Sequence, residues 1–169
     1  MPKQESISIL GIDPGSRATG YGVITKKANQ LYYVTCGVIR LGAKYTFNDR
    51  LKMIFDGLCE VIEIHKPTVA GVEDVFVAAN SRTALKLGHA RGVAVLATLY
   101  NGLRVYDYTP RMVKQAVVGY GNADKQQVQQ MVRVLLQLSA SPSSDAADAL
   151  AVAMCHANQT IIDGEVIKN

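Results

Sequence analysis

Asp13 in GIDPG ends an apolar run, Glu73 in GVED ends another, and Asp145 and Asp148 stand three apart in SSDAADALAVAM. Three residues apart in an opening helical turn puts the last two acids on one face. Ser143 or Ser144 can cap that turn, and the positive end of the helix dipole favours ionised carboxylates there. Taken singly, each acid has an ordinary explanation, as a turn former or a dipole partner. Brought together, they would repel one another and raise each other's pKa, a cost that a bound divalent cation removes. Oxygen-only ligands suit Mg²⁺ or Mn²⁺ rather than zinc. Two such ions about 4 Å apart would activate a water and stabilise the leaving oxygen of an in-line displacement at phosphorus.

The elements that must bring these acids together are legible from periodicity. Ser6 to Ile12, Gly20 to Thr25 and Leu31 to Leu41 alternate as strands with short connections, which predicts an antiparallel meander. From Thr46 the period becomes helical, with Phe47, Leu51, Ile54, Phe55, Leu58, Val61 and Ile62 in one apolar stripe that Lys66 and Pro67 end. Thr68 to Glu73 is a short strand, Asn80 to Tyr100 a long helix, Arg104 to Tyr108 a fifth strand, and Pro110 to Val118 a helix. Asp124 to Leu138 and a last segment to about Ala157 complete the helices. On the long helix Leu85, Gly88, Gly92, Val95 and Leu99 are available to pack, and the glycine pair permits close backbone approach. The pattern predicts an α/β fold, a five-stranded mixed sheet flanked by helices, with functional groups outside the carboxyl ends of its parallel strands. Neither an internal repeat nor an interdomain linker is visible, so one domain over residues 1–169, ordered about 6–158, is expected.

With 169 residues, 49% hydrophobic and 19% charged, the chain can bury a sizeable core within a single domain. Its net charge of +4 is compatible with a polyanionic partner without demanding one. Cys36, Cys59 and Cys155 follow no CxxC spacing, which argues against a zinc site or disulfide framework and for reduced thiols in the cytoplasm. A short N-terminal apolar run and the lack of about 18 uninterrupted apolar residues argue against secretion and membrane spanning.

GIDPGSRATGYGVI, VEDVFVAANSRTALKLGHARG, VKQAVVGYGNADKQQVQ and DAADALAVA, in this order and spacing, resemble the RuvC family of bacterial Holliday-junction resolvases, within the ribonuclease H-like superfamily. The likeness runs from about Leu10 to Met154. It implies a ribonuclease H-like fold and a nuclease that nicks four-way DNA junctions symmetrically. By resemblance Asp13, Glu73, Asp145 and Asp148 are the catalytic carboxylates, holding two Mg²⁺, with Mn²⁺ a possible substitute. The fold family implies that Asp13 bridges both ions, Glu73 and Asp148 hold the pair, and Asp145 completes or orients the second. Phe76 matches the family's base-stacking aromatic, and Lys114 and Lys125 its lysines near the cleavage site, where they could hold a phosphate. Arg82, Lys86 and Arg91 flank the same cleft and are read as backbone contacts. The long helix corresponds to the family's dimerisation element. The resemblance further implies a homodimer, RuvA and RuvB branch-migration proteins as partners, and a bacterial cytoplasmic, nucleoid-associated location. On this reading Gly15, Gly20 and Gly22 keep the turn and strand low for a DNA backbone; the alternative is that they only let the meander turn.

Rival readings remain. A non-catalytic junction-binding protein would not need all four acids, a sugar-kinase or Hsp70-like ATPase needs a second domain, and a ribonuclease H acting on RNA–DNA hybrids is nearer in chemistry. His156 stands eight residues beyond Asp148, about 12 Å along a helix, too far to share its metal. His65 and His89 read as structural, and Asp107 is the strongest acid without a role.

Overall fold

The computed structural model describes residues 6–75 and 80–159. Five strands, β1 (Ser6–Asp13), β2 (Ala18–Lys27), β3 (Gln30–Arg40), β4 (Val69–Glu73) and β5 (Arg104–Tyr108), form one sheet in the order β3-β2-β1-β4-β5. β1, β2 and β3 pair antiparallel, whereas β4 runs parallel to both β1 and β5. The meander and the mixed sheet are therefore as the periodicity predicts. Five helices complete the fold: α1 (Phe47–His65), α2 (Ser81–Tyr100), α3 (Pro110–Val118), α4 (Lys125–Leu135) and α5 (Ser144–Gln159). None among the described residues is long and apolar enough to cross a membrane.

Helix boundaries follow local chemistry. Thr46, Asn80, Thr109 and Asp124 each accept a backbone N–H of the first turn, satisfying donors that the helix leaves open. α4 stops three residues short of the expected Leu138. Gln137 takes a left-handed φ of 54°, and Leu138 N–H turns back to Arg133 O at 2.9 Å.

Period-2 alternation sorts the core into two layers. Leu10, Ile12, Ala70 and Val72 face α1 and α2, where they pack with Ile54, Leu58, Ala90 and Ala94. Ile9 and Val69 face the opposite way, onto a layer that includes Leu150, Val152 and Met154 of α5 and Val128 and Val132 of α4. α2 departs from expectation. Its buried positions are Ala90, Ala94, Ala97 and Thr98, while Leu85, Leu96 and Leu99 are more than half exposed. Among the described residues, no heavy atom from outside the local helix backbone lies within 4 Å of where a Cβ on Gly88 or Gly92 would stand, so the close approach these glycines permit is not used there. The small residues are the ones turned inward, where α2 packs closely on α1 and touches β5.

Candidate active site

Alternation along β1 places Gly11 toward α5, since its Cβ would meet the Ala149 carbonyl oxygen at 2.0 Å, and Asp13 two residues on shares that face. Gly71 also looks toward α5, at Val152, and Glu73 follows it by two. The ends of two adjacent parallel strands thus present a carboxylate each to one face of the sheet. α5 brings the second pair. Its first turn is seated on Gly20, where a Cβ would stand 2.1 Å from the Asp145 carbonyl oxygen, and Gly20 is the cross-strand partner of Asp13. Asp145 and Asp148 therefore open onto the place where β1 ends.

The electrostatics match this convergence. Burial pushes Asp13 up to about 8, with the charges of Glu73, Asp148 and Asp145 and a hydrogen bond with Glu73 adding to the rise. Glu73 is raised by burial and by Asp148, against the pull of its Asp13 hydrogen bond and of Lys125 and Lys114. Asp148 is raised by burial, with Lys125 the main opposing influence. Lys125, first residue of α4, holds its ammonium 3.6 Å from Asp148. Lys114 of α3 acts on both Glu73 and Asp148.

The donor set is all oxygen and partly buried, and its four carboxylates outnumber the two lysines beside them, which suits a hard divalent cation. Among the described residues, no three acidic, histidine or cysteine side chains are already closed around one point as metal ligands are.

The profile of the family "Crossover junction endodeoxyribonuclease RuvC" matches residues 9–156. The chain belongs to the RuvC family. A RuvC of Geotalea uraniireducens is 52% identical over 158 residues, covering 94% of this chain and 92% of that one. A RuvC of Syntrophotalea carbinolica is 58% identical over 150 residues, covering 89% and 93%. Among solved structures, Thermus thermophilus RuvC in complex with a Holliday junction substrate superposes with a TM-score of 0.82 at 35% identity, over 89% of this chain and 93% of that one. The five-stranded ribonuclease H-like architecture expected from the motifs is thus the RuvC fold, and the chain is a crossover junction endodeoxyribonuclease of that family.

The other residues singled out in the sequence fall in three places. Arg82 and Lys86 are exposed on α2, with the Lys86 ammonium 5.6 Å from the centre of the Phe47 ring. Phe76 lies outside the described residues. Arg91 is largely covered and ion-paired with Asp74, at 3.4 Å, and with Asp107. Asp107 does not face Asp13 and Glu73: it pairs in register with Val72 and shares its α2-facing side of the sheet, opposite to Glu73. His156 is buried, its Nδ1 2.6 Å from the Tyr108 hydroxyl, and burial, helped by the Lys26 charge, lowers its pKa to about 4.

The glycines have a different use from the one expected. Gly20 and Gly22 face α5, meeting the Asp145 backbone and Leu150, so they make room for the helix that carries two carboxylates rather than for a DNA backbone. Their signal in the sequence was the pairing of strand glycines with the alanine-rich DAADALAVA, two small surfaces that can approach closely.

Proposed function

We propose that this chain resolves Holliday junctions with a divalent-cation site built from Asp13, Glu73, Asp145 and Asp148. The convergence of these acids from β1, β4 and the N-terminal part of α5, with two lysines beside them, carries the reading. Bound there, two Mg²⁺, or Mn²⁺, would supply the charge neutralisation and Lewis acidity that let water attack a phosphodiester. Asp13, Glu73, Asp145 and Asp148 would hold the cations, whose positive charge would offset the mutual repulsion of these carboxylates. Lys125 and Lys114 meet the phosphate and offset charge developing on it. Arg82 and Lys86 track the DNA backbone along α2, and Phe76, just beyond Glu73, stacks on a junction base, worth about 1–3 kcal/mol.

The outward face of α2, with Leu85, Leu96 and Leu99 exposed around Gly88 and Gly92, is covered by a second copy in this reading. A twofold dimer sets one site on each of two like-oriented strands, so paired nicks give two ligatable duplexes. Leu96→Glu should convert the dimer to a monomer in analytical ultracentrifugation and reduce paired nicking; an unchanged dimer would show that another surface is used. One nuclease domain, RuvA and RuvB as partners, and a cytoplasmic, nucleoid-associated setting complete the proposal.

The deciding experiment is cleavage of a mobile four-way junction, beside linear duplex and an RNA–DNA hybrid, in Mg²⁺ and in EDTA. Symmetric nicks confined to the junction and lost in EDTA are expected. Binding without nicks would favour the non-catalytic alternative, and hybrid cleavage a ribonuclease H.

A further inference from the structure

The β4 strand ends at Glu73, and the residue after it, Asp74, turns toward α2 rather than toward the carboxylate site. Asp74 N–H donates to the Tyr108 carbonyl at 2.8 Å, extending the β4–β5 pairing by one bond. Its side chain meets Arg91 of α2, whose guanidinium also grips Asp107 of β5. One arginine therefore joins three elements at the point where the chain leaves Glu73. The arginine is mostly covered, with 23% of its side chain exposed, whereas both acids are open to water. Its Nε is buried and has no hydrogen-bond acceptor among the described residues, although the Asp74 oxygen stands 3.4 Å away and itself accepts from Val75 N–H at 2.9 Å. A side chain turned into the protein and held between two carboxylates is poorly placed to meet a DNA phosphate.

We infer that Arg91 is a positioning residue: its fork between Asp74 and Asp107 fixes the end of β4, and through it the direction of Glu73. A planar guanidinium with donors on two edges can hold two carboxylates at once in a fixed geometry, which a lysine ammonium on a flexible stem cannot. Displacing a reacting group by about 1 Å costs on the order of 10²-fold in rate. The inference rests on the junction-cutting role proposed for Glu73.

The test is single-turnover cleavage of a four-way junction at saturating protein, with junction affinity measured across salt concentrations and melting temperature recorded for each variant. Arg91→Ala should cut about 10- to 100-fold more slowly, with affinity within about twofold and the salt dependence unchanged. Arg91→Lys should recover only part of the rate. Asp107→Asn, a change at an exposed carboxylate that leaves folding intact, should slow cutting in the same direction, and Arg91→Ala with Asp107→Asn should be no slower than Arg91→Ala alone. Full rate at saturation, with weaker binding and a salt slope smaller by about 1, would make Arg91 a phosphate contact and overturn the inference. So would a lower melting temperature at unchanged rate, or additive losses in the double variant. A wild-type protein that binds junctions without cutting them would fell the parent reading and this inference with it, whereas a cutting wild type beside a fully active Arg91→Ala fells this one alone.

Discussion

Replacing Asp13 with asparagine should abolish junction cleavage, by at least about 10³-fold or about 4 kcal/mol of barrier, while junction affinity stays within about twofold. Asparagine keeps the shape of the side chain and one oxygen but cannot bring the negative charge that a divalent cation requires. The same substitution should stabilise the cation-free protein at alkaline pH. Asp13 is pushed up to about 8 in the folded state, mainly by burial, against 3.8 for an ordinary aspartate. The folded chain thus holds a proton that the unfolded chain releases above about pH 4. The stability this contributes is complete below the unfolded pKa and disappears as pH rises through the folded one. At pH 9 the wild type carries a buried, crowded charge that Asp13→Asn lacks. A gain of about 1–3 kcal/mol, or about 3–8 °C in melting temperature, follows at pH 9, fading toward pH 4. Mg²⁺ should raise the melting temperature of the wild type more than that of the variant. Normal cleavage by Asp13→Asn would end the cation-site assignment, and identical melting curves at pH 9 would show that the carboxylate is not crowded as described.

Gly20→Ala should be strongly damaging for a single added methyl. The added Cβ would stand 2.1 Å from the Asp145 carbonyl oxygen and 2.7 Å from its carbon, both backbone atoms that cannot rotate away. β2 cannot retreat either, because Gly20 is paired with Asp13 on one side and Val38 on the other. Relief requires the start of α5 to lift, which moves Asp145 and Asp148 from the strand ends. Overpacking of this kind costs about 1–3 kcal/mol, and a shift of about 1 Å in a catalytic group costs on the order of 10²-fold. Circular dichroism melting and single-turnover cleavage, measured together, should show a lowered melting temperature and a larger fall in rate. If Gly20→Ala melts and cuts like the wild type, the helix is not seated on this glycine.

Several features were legible in the chain itself. Period-2 and period-3.6 patterns marked the strands and helices because each element must present one apolar face, and that demand is local in sequence. Asp13, Glu73, Asp145 and Asp148 stood out because acids at the ends of apolar runs, or in a first helical turn, lie where the core stops. Which surface each element covers is a different question, and periodicity cannot answer it. Leu85, Gly88, Gly92 and Leu99 are as well spaced for a core as Ala90, Ala94 and Ala97, yet only the alanines are turned inward, where α2 packs closely on α1.

Asp107 and Glu73 show the same division. Each is an acid near the end of an apolar strand, and the difference between them is the β4–β5 register, which pairs Val72 with Asp107 and Glu73 with Tyr108. That one-residue offset sends Glu73 toward α5 and Asp107 toward Arg91. Gly20 likewise reads as a turn or an opening for a ligand until α5 is laid across it. The sequence by itself determined the kinds of elements, their order and the acids they end on, because these follow from side-chain chemistry over a few residues. The tertiary structure alone decided that the acids meet, that α5 rests on Gly20, that α2 shows its leucines outward and that Arg91 answers to two carboxylates. Those outcomes depend on packing distances and strand register between segments remote in sequence, which no local pattern encodes.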